Sequence, residues 1–377
     1  MAQELNFLLI ATGYPGKLIK TIESRGHKYT LAKPEDFDLY LSDNPKGYDE
    51  LYLFGTRFVA SKYDAVLSRV GERREFASKI LRHLQHNLNV FCVQSGSSIE
   101  VCADKFKSAQ IMSENKIKVP RQFYSLRGKY PALMIEKMGG LPIILKELSG
   151  SKGKGLILLE SPLQTNMTLE SYYGSERRFI LQEYLNNGGS DERHIVCGGR
   201  VVNSMRRFAP ADDIRANLSL AGKGEPIKVD PETADICIRA VRAVSGLNFA
   251  GVDIMKVPNP KNPAEDIRYF IEINSNPGEM IIDITGHNHY EDLLDFVETN
   301  CRKKAQGKRT EEQNTPAGTP APATSPAKPA PGKEDPKKPK KEDTPEPTPA
   351  PEEDPEESTR ATSFERALKA CQNWLKR

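Results

Sequence analysis

Two short strings near residue 270 hold the side chains best suited to chemistry. GVDIM carries Asp253, and IEINSNPG carries Glu272 and Asn274. Alternate residues of an extended strand share a face, so Glu272 and Asn274 point one way and Ile271 and Ile273 the other. A carboxylate and an amide oxygen on one strand, with a second carboxylate on its neighbour, make an all-oxygen set. Such a set suits Mg²⁺ or Mn²⁺, which keep water and bind phosphate oxygens. A polar strand end closed by Asn276-Pro277-Gly278 as a turn would present the same residues, so both readings stand on this motif alone.

A second group surrounds GSKGKG at 150–155. Glycines let backbone amides approach an anion and the lysines add charge, although the string is not a P-loop and an ordinary hairpin turn would read the same. Lys146 stands just before it in PIILKEL. A lysine inside an apolar strand is costly to bury without an anionic partner, and a phosphate would be one. Arg206, Arg207, Asp213, Arg215 and Asn217 form a third group, offering planar forks for phosphate or carboxylate, or else a solvated basic face. His194, His287 and His289 lack the spacing of a metal site and read as caps or turns.

These residues need elements to place them. Residues 5–11, 29–31, 50–54, 64–69 and 89–93 read as strands, with helices through Arg25 and over 72–87, which implies an open α/β layer. No G-x-G-x-x-G follows the first strand, so a dinucleotide site is not expected. A helix is expected over 103–116, then strands at 141–145, 156–159, 179–183, 193–196 and 200–206, some paired as antiparallel hairpins. A helix over 231–245 precedes strands at 249–256 and 267–273, with a polar, proline-bearing loop between them. A helix over 290–304 closes the folded part.

Composition narrows the function classes. The 377 residues carry 54 basic and 51 acidic side chains, a balance too even for wholesale nucleic-acid binding. No apolar run is long enough to span a membrane. MAQELNFLLIATG has no basic region, so no secretory signal is expected. Six scattered cysteines without a C-x-x-C pair argue against zinc and against a disulfide framework, and fit a cytoplasmic protein. Residues 302–363 hold nearly half of the 27 prolines and no aromatic residue. They read as a disordered, partly polyproline-II linker. Beyond it Phe364, Leu368, Cys371 and Leu375 recur at helical spacing behind a Thr362/Glu365 capping box. That pattern fits a short docking helix at 364–377 for a protein partner, or for the protein's own core, as well as a frayed end.

Taken in order, the motifs resemble the ATP-grasp carboxylate–amine ligases, most closely the RimK-type branch, over roughly residues 60–300. YDAVLSRVG, ADKFKSAQIMSENKIKVP, PIILKELSGSKGKGLIL, ILQEYL, SDERHIVCGGRVVNSMRR with DIRAN, GVDIM and IEINSNPG carry the likeness. The resemblance implies mixed α/β and α+β architecture: an open α/β pre-ATP-grasp domain (1–97), then a two-lobed ATP-grasp fold. Its N-terminal lobe, with a glycine-rich lid, would be 98–185 and its C-terminal lobe, with the metal site, 186–301. The Pro-rich tail and terminal helix lie outside the family pattern.

The resemblance also implies roles. Lys105 and Lys146 would contact ATP phosphates, and Ser151 and Gly153 would belong to the lid over them. The backbone at Glu183 and Tyr184 would read adenine, and Asp191 would hold the ribose. Arg215 and Asn217 would meet the terminal phosphates. Asp253, Glu272 and Asn274 would bind two Mg²⁺ or Mn²⁺ ions, with Glu272 bridging. Arg207 would steady an acyl phosphate or hold a substrate carboxylate. SLAGKG after DIRAN, where the family often has a Gly-Gly pair, and the loop at 257–266 depart from the pattern. The implied reaction joins an amino acid, glutamate by resemblance, to the carboxylate of a protein or peptide. A small-metabolite acceptor, or a non-catalytic ATP-binding scaffold resembling the synapsins, would use the same core. Family members are often oligomers, so a homo-oligomer is expected by analogy.

Overall fold

The computed structural model describes residues 4–41, 43, 50–126, 128–148, 155–172, 178–209 and 223–305. The first strand, β1 (Asn6–Ala11), leads through α1 (Gly16–Ser24) to β2 (Lys28–Ala32). Next come β3 (Phe37–Tyr40), β4 (Glu50–Leu53) and β5 (Thr56–Arg57), then β6 (Ala65–Arg69), α2 (Arg74–Arg82) and β7 (Phe91–Cys92). The strands β2-β1-β6-β7 pair in parallel. Every β1 residue from Phe7 to Ala11 is buried, as the apolar run LNFLLIA demands of a strand covered on both faces. Phe7 and Leu9 pack with Leu18, Ile19 and Ile22 of α1, and Leu8 and Ile10 with Ala77, Ile80 and Leu81 of α2. The strand at 50–54 is not part of this layer: β4 sits in a separate antiparallel sheet with β3 and β5. The strand expected over 89–93 shrinks to two residues.

The expected 103–116 helix forms over Lys105–Glu114, behind a helix that the sequence reading lacked. α3 (Gly96–Ala103) stops where the Asp104 carboxylate accepts from the amides of Phe106 and Lys107, at 3.0 and 2.9 Å, capping α4 (Lys105–Glu114). A four-stranded antiparallel sheet follows from β8 (Gln122–Ser125), β9 (Ile143–Glu147), β10 (Leu156–Leu159) and β11 (Phe179–Glu183), in the order β10-β9-β11-β8. Helices α5 (Pro131–Met138) and α6 (Pro162–Tyr172), absent from the sequence reading, cover it through Met134, Met138, Leu169 and Tyr172.

The last sheet runs β14-β13-β12-β15-β16, from β12 (Ser190–Cys197), β13 (Arg200–Phe208), β14 (Lys223–Pro226), β15 (Phe249–Asn259) and β16 (Asn262–Asn274). One of its faces packs on α3, α4 and α7 (Pro231–Arg242). The helices α8 (Met280–Thr285) and α9 (His289–Ala305) pack toward the parallel sheet. The loop expected at 257–266 is instead a long hairpin, with Val257 opposite Ile267 and Asn259 opposite Asn262. β12 pairs with β15 only as far as Ile254, so the free edge at Pro258 needs no ladder N–H. α9 runs to Ala305, past the expected boundary at 301.

Candidate active site

The site is built on one face of the last sheet. Asp253 stands opposite Glu272 in the β15–β16 ladder, and Asn274 opposite Gly251. Cross-strand partners share a face, so the three oxygen donors expected together do share one. Arg193 stands opposite Asp253 on the other side, and Arg207 opposite Asp191.

Among the described residues Glu272 makes no hydrogen bond or ion pair, and the Asn274 Nδ2 is buried without a partner. Asp253 is different. Its Oδ1 accepts from Arg193 Nε at 2.7 Å, and its Oδ2 accepts from Arg193 Nη2 at 2.6 Å and Arg207 Nη2 at 2.9 Å. Burial pushes the Asp253 carboxyl up, but the two guanidinium groups outweigh it and hold the group below the usual carboxylate range. A carboxylate has about four lone-pair positions, and three are used here. One Asp253 position, an open Glu272 and the Asn274 amide oxygen fit a hard divalent cation that keeps water.

Asp191 carries a duty the sequence did not announce. Both its oxygens accept from Arg207, at 2.6 and 2.5 Å, inside a buried pair. A carboxylate so engaged anchors Arg207, with about two lone-pair positions left. Arg207 consequently spans Asp191 and Asp253, a structural duty alongside the substrate role expected of it.

The antiparallel sheet contributes the lysine. Lys146, on β9, donates to Gln182 Oε1 of β11 at 2.8 Å. Burial pulls its ammonium down to about 8, opposed by Glu272, Asp191 and Asp253 and assisted by Lys105. Four side chains from the two sheets and Lys105 of α4 therefore share one electrostatic neighbourhood. Lys105 begins α4, immediately after the Asp104 cap.

Glu183 ends β11, and Tyr184 follows in the connection to β12. The Glu183 side chain accepts from Arg121 N at 2.8 Å and Arg121 Nε at 2.6 Å, fixing the strand end. Ser151, Gly153, Arg215 and Asn217 lie outside the described residues, as do 306–377. β9 and β10 are antiparallel neighbours. Gly155 takes φ +78°, where a Cβ would approach Glu147 Oε2 to 2.8 Å.

The histidines stand apart. His194 is buried on the opposite face with Ser204 Oγ at 2.9 Å, and His287 lies 2.7 Å from Asp292. Sequence reasoning missed Arg193 and Gln182. The alternation of Asp191 and Arg193 in SDERH was the available signal for the first; nothing local marked the second.

A model of the RimK-like ATP-grasp domain matches residues 102–297. The chain belongs to this family. The ligase resembles probable alpha-L-glutamate ligases: 30% identity over 298 residues with that of Rhodopirellula baltica (76% of this chain, 70% of the relative). It is 28% identical over 296 residues to that of Maridesulfovibrio salexigens (77% and 94%). In fold it is similar to the ATP-grasp ligase PsnB complexed with minimal precursor, at TM-score 0.60 and 17% identity (79% of this chain, all of that one). It is also similar to the D-alanine–D-alanine ligase of Bacillus anthracis complexed with ATP, at TM-score 0.56 and 15% identity (81% and 100%). The protein is accordingly a mixed α/β ATP-grasp carboxylate–amine ligase, and ATP-grasp ligases use ATP and divalent metal ions. Among the described residues no helix is long and apolar enough to cross a membrane.

Proposed function

We propose that the ligase activates a substrate carboxylate as an acyl phosphate and couples it to the amine of an amino acid, with a peptide or protein as the carboxylate partner. The observation carrying this reading is the shared ladder face of Asp253, Glu272 and Asn274, electrostatically coupled to Lys146 of the other sheet.

A carboxylate resists amines at neutral pH because oxide is a poor leaving group. Attack of a carboxylate oxygen on the γ-phosphorus of ATP breaks the bond to ADP and yields an acyl phosphate. The amine then attacks the carbonyl carbon, phosphate departs with the bonding pair, and the nitrogen loses a proton. Phosphoryl transfer needs positioning and charge neutralisation rather than a covalent enzyme intermediate. Lys105 and Lys146 would supply positive charge at the phosphates. Asp253, Glu272 and Asn274 would hold Mg²⁺ or Mn²⁺, which offsets phosphate charge when bound. Arg193 and Arg207, fixed on Asp253 and Asp191, keep that face rigid and place a cation beside the activated carboxylate.

Two comparisons favour an amino-acid amine and a peptide partner: the relatives named glutamate ligases, and the fold neighbour complexed with its precursor. The test is product mass spectrometry after incubation with ATP, Mg²⁺, the twenty amino acids and peptides with free carboxylates. The reading requires ADP release that depends on both an amine and a carboxylate. Release needing neither, or a product whose carboxylate partner is a small metabolite, would overturn the corresponding half.

A further inference from the structure

We infer that Arg69 anchors the free α-carboxylate of the amine-bearing substrate, and so selects α-amino acids. The inference rests on the ligase reading and assigns a specificity residue to it.

The position follows from the topology of the parallel sheet. From β1 the chain leaves through α1 on one face, and from β6 through α2 on the other. β1 and β6 are neighbours, so the connections diverge between them and open a crevice at the carboxyl ends of these two strands. Open α/β sheets bind ligands at such switch points. Arg69 is the last residue of β6, and Thr12 is the first after β1.

The crevice faces the segment that follows the oxygen donors. Arg69 Nη2 donates to the carbonyl of Pro277 at 2.7 Å, three residues beyond Asn274. Gly71 N donates to Thr12 Oγ1 at 2.9 Å, and a Cβ on Gly71 would lie 3.5 Å from Asn276 Nδ2. Thr12, Arg69, Gly71 and Asn276 therefore form one wall across the two sheets.

Two polar atoms in that wall lack partners. Arg69 is only 8% exposed, yet its Nη1 is buried without a hydrogen bond, and among the described residues it forms no ion pair. Its guanidinium lies 5.5 Å from the centroid of the Tyr290 ring, and the neighbouring Glu279 accepts from the Tyr290 hydroxyl instead. A buried guanidinium without a counter-anion is costly, and a carboxylate is the anion its fork fits. Asn276 Oδ1 is also buried and unpartnered, on the residue just before the Pro277 whose carbonyl holds Arg69. An α-amino acid presents the complementary pair one carbon apart: a carboxylate for Arg69 and an amine for Asn276.

This arrangement separates the two carboxyl groups of the reaction. The group to be phosphorylated must meet ATP beside Lys146 and Glu272. A carboxylate held by Arg69 lies beyond Pro277 and is kept from the phosphate, while its α-amine sits two residues from Asn274.

The test uses the full-length protein, ATP, Mg²⁺, and the amino acid that supports ADP release, compared with its α-carboxamide. The native ligase should prefer the free acid by about 10- to 100-fold in KM, the worth of a hydrogen-bonded charge. Arg69→Met should erase that preference and leave the KM for ATP unchanged. Asn276→Ala, which keeps the bond from Arg69 to Pro277, should raise KM for acid and amide alike. If Arg69→Met does not fold, Arg69→Lys keeps the charge near Tyr290 and must still lose part of the preference. Equal losses on acid and amide, an increase in the KM for ATP, or no preference in the native ligase would overturn the inference while leaving amide synthesis established. Absence of amino-acid-dependent ADP release, with magnesium-dependent nucleotide binding intact, would overturn the ligase reading and the anchor with it.

Discussion

Arg207 and Asp253 meet through a single shared contact, Nη2 to Oδ2 at 2.9 Å, while the same guanidinium clasps Asp191 from the other side. Arg193 completes the set with two bonds to Asp253. Two acids and two bases thus form a closed, charge-neutral group on neighbouring strands. Asp253 cannot be considered only as a metal ligand, because it also balances two buried cations.

Removing Arg207 should therefore cost stability first. Arg207→Met leaves Asp191 with neither of its bonds and Asp253 with one guanidinium. Breaking a buried pair this way costs about 3–5 kcal/mol. Urea unfolding of the variant should show a midpoint shifted accordingly. A midpoint equal to the native one would mean the pair does not exist in solution.

Glu272 and Asp253 should separate cleanly, though they face each other in one ladder. Glu272→Gln removes a carboxylate with no partner among the described residues, so stability should stay within about 0.5 kcal/mol. Magnesium-dependent nucleotide binding and ligation should nonetheless collapse. Asp253→Asn should lose both activity and fold stability, since it leaves Arg193 and Arg207 uncompensated. Calorimetric nucleotide titrations and thermal melts on both variants decide the matter. Equal melting losses would show that Glu272 has a structural partner.

Legibility in the sequence tracked the range of the forces involved. β1 and β11 were readable because burial of both faces writes a continuous apolar run into the chain. The Asp253, Glu272 and Asn274 cluster was readable because strand alternation fixes which side chains share a face. The Arg121–Glu183 and Lys146–Gln182 contacts were not, since they depend on pairing between distant strands. α6 was missed because its apolar residues fall on no single face, so no period marks it. The hairpin at 257–266 was read as a loop because its prolines suggest a break; an edge without ladder partners tolerates them. The Asp191–Arg207 pair was not legible because it is fixed only by the β12–β13 register.

The start of β10 should be sensitive at Gly155. Gly155→Ala forces an L side chain into φ +78° and against Glu147, whose backbone amide donates to the Gly155 carbonyl at 2.9 Å. Left-handed backbone alone costs about 1–2 kcal/mol. The variant should unfold earlier by that amount, and its KM for ATP should rise because β9 carries Lys146 next to the strained turn. A Gly155→Asn variant, which tolerates the conformation better, should recover part of both. Equal behaviour of Ala and Asn would place the effect in contact with Glu147 rather than in the backbone.

Lys146 should set the pH dependence of nucleotide binding, if its ammonium meets the phosphates as proposed. Burial lowers its pKa from 10.5 to about 8 in the ligand-free protein, so its charge is disfavoured by folding. The sign follows directly. Below pH 8 the charged form carries that cost; between 8 and 10.5 the folded protein sheds the proton and the cost disappears, so this residue makes stability rise with pH across that window. Phosphate oxygens reverse the preference by supplying the missing anion and raising the pKa. ATP binding above pH 8 must then draw in a proton, and affinity must fall as pH climbs past that value. Titration calorimetry at pH 9 in two buffers of different ionisation enthalpy would measure the uptake directly. Lys146→Met should bind ATP more weakly, with uptake reduced by this residue's share. Uptake unchanged by Lys146→Met would exclude Lys146 from the phosphate site.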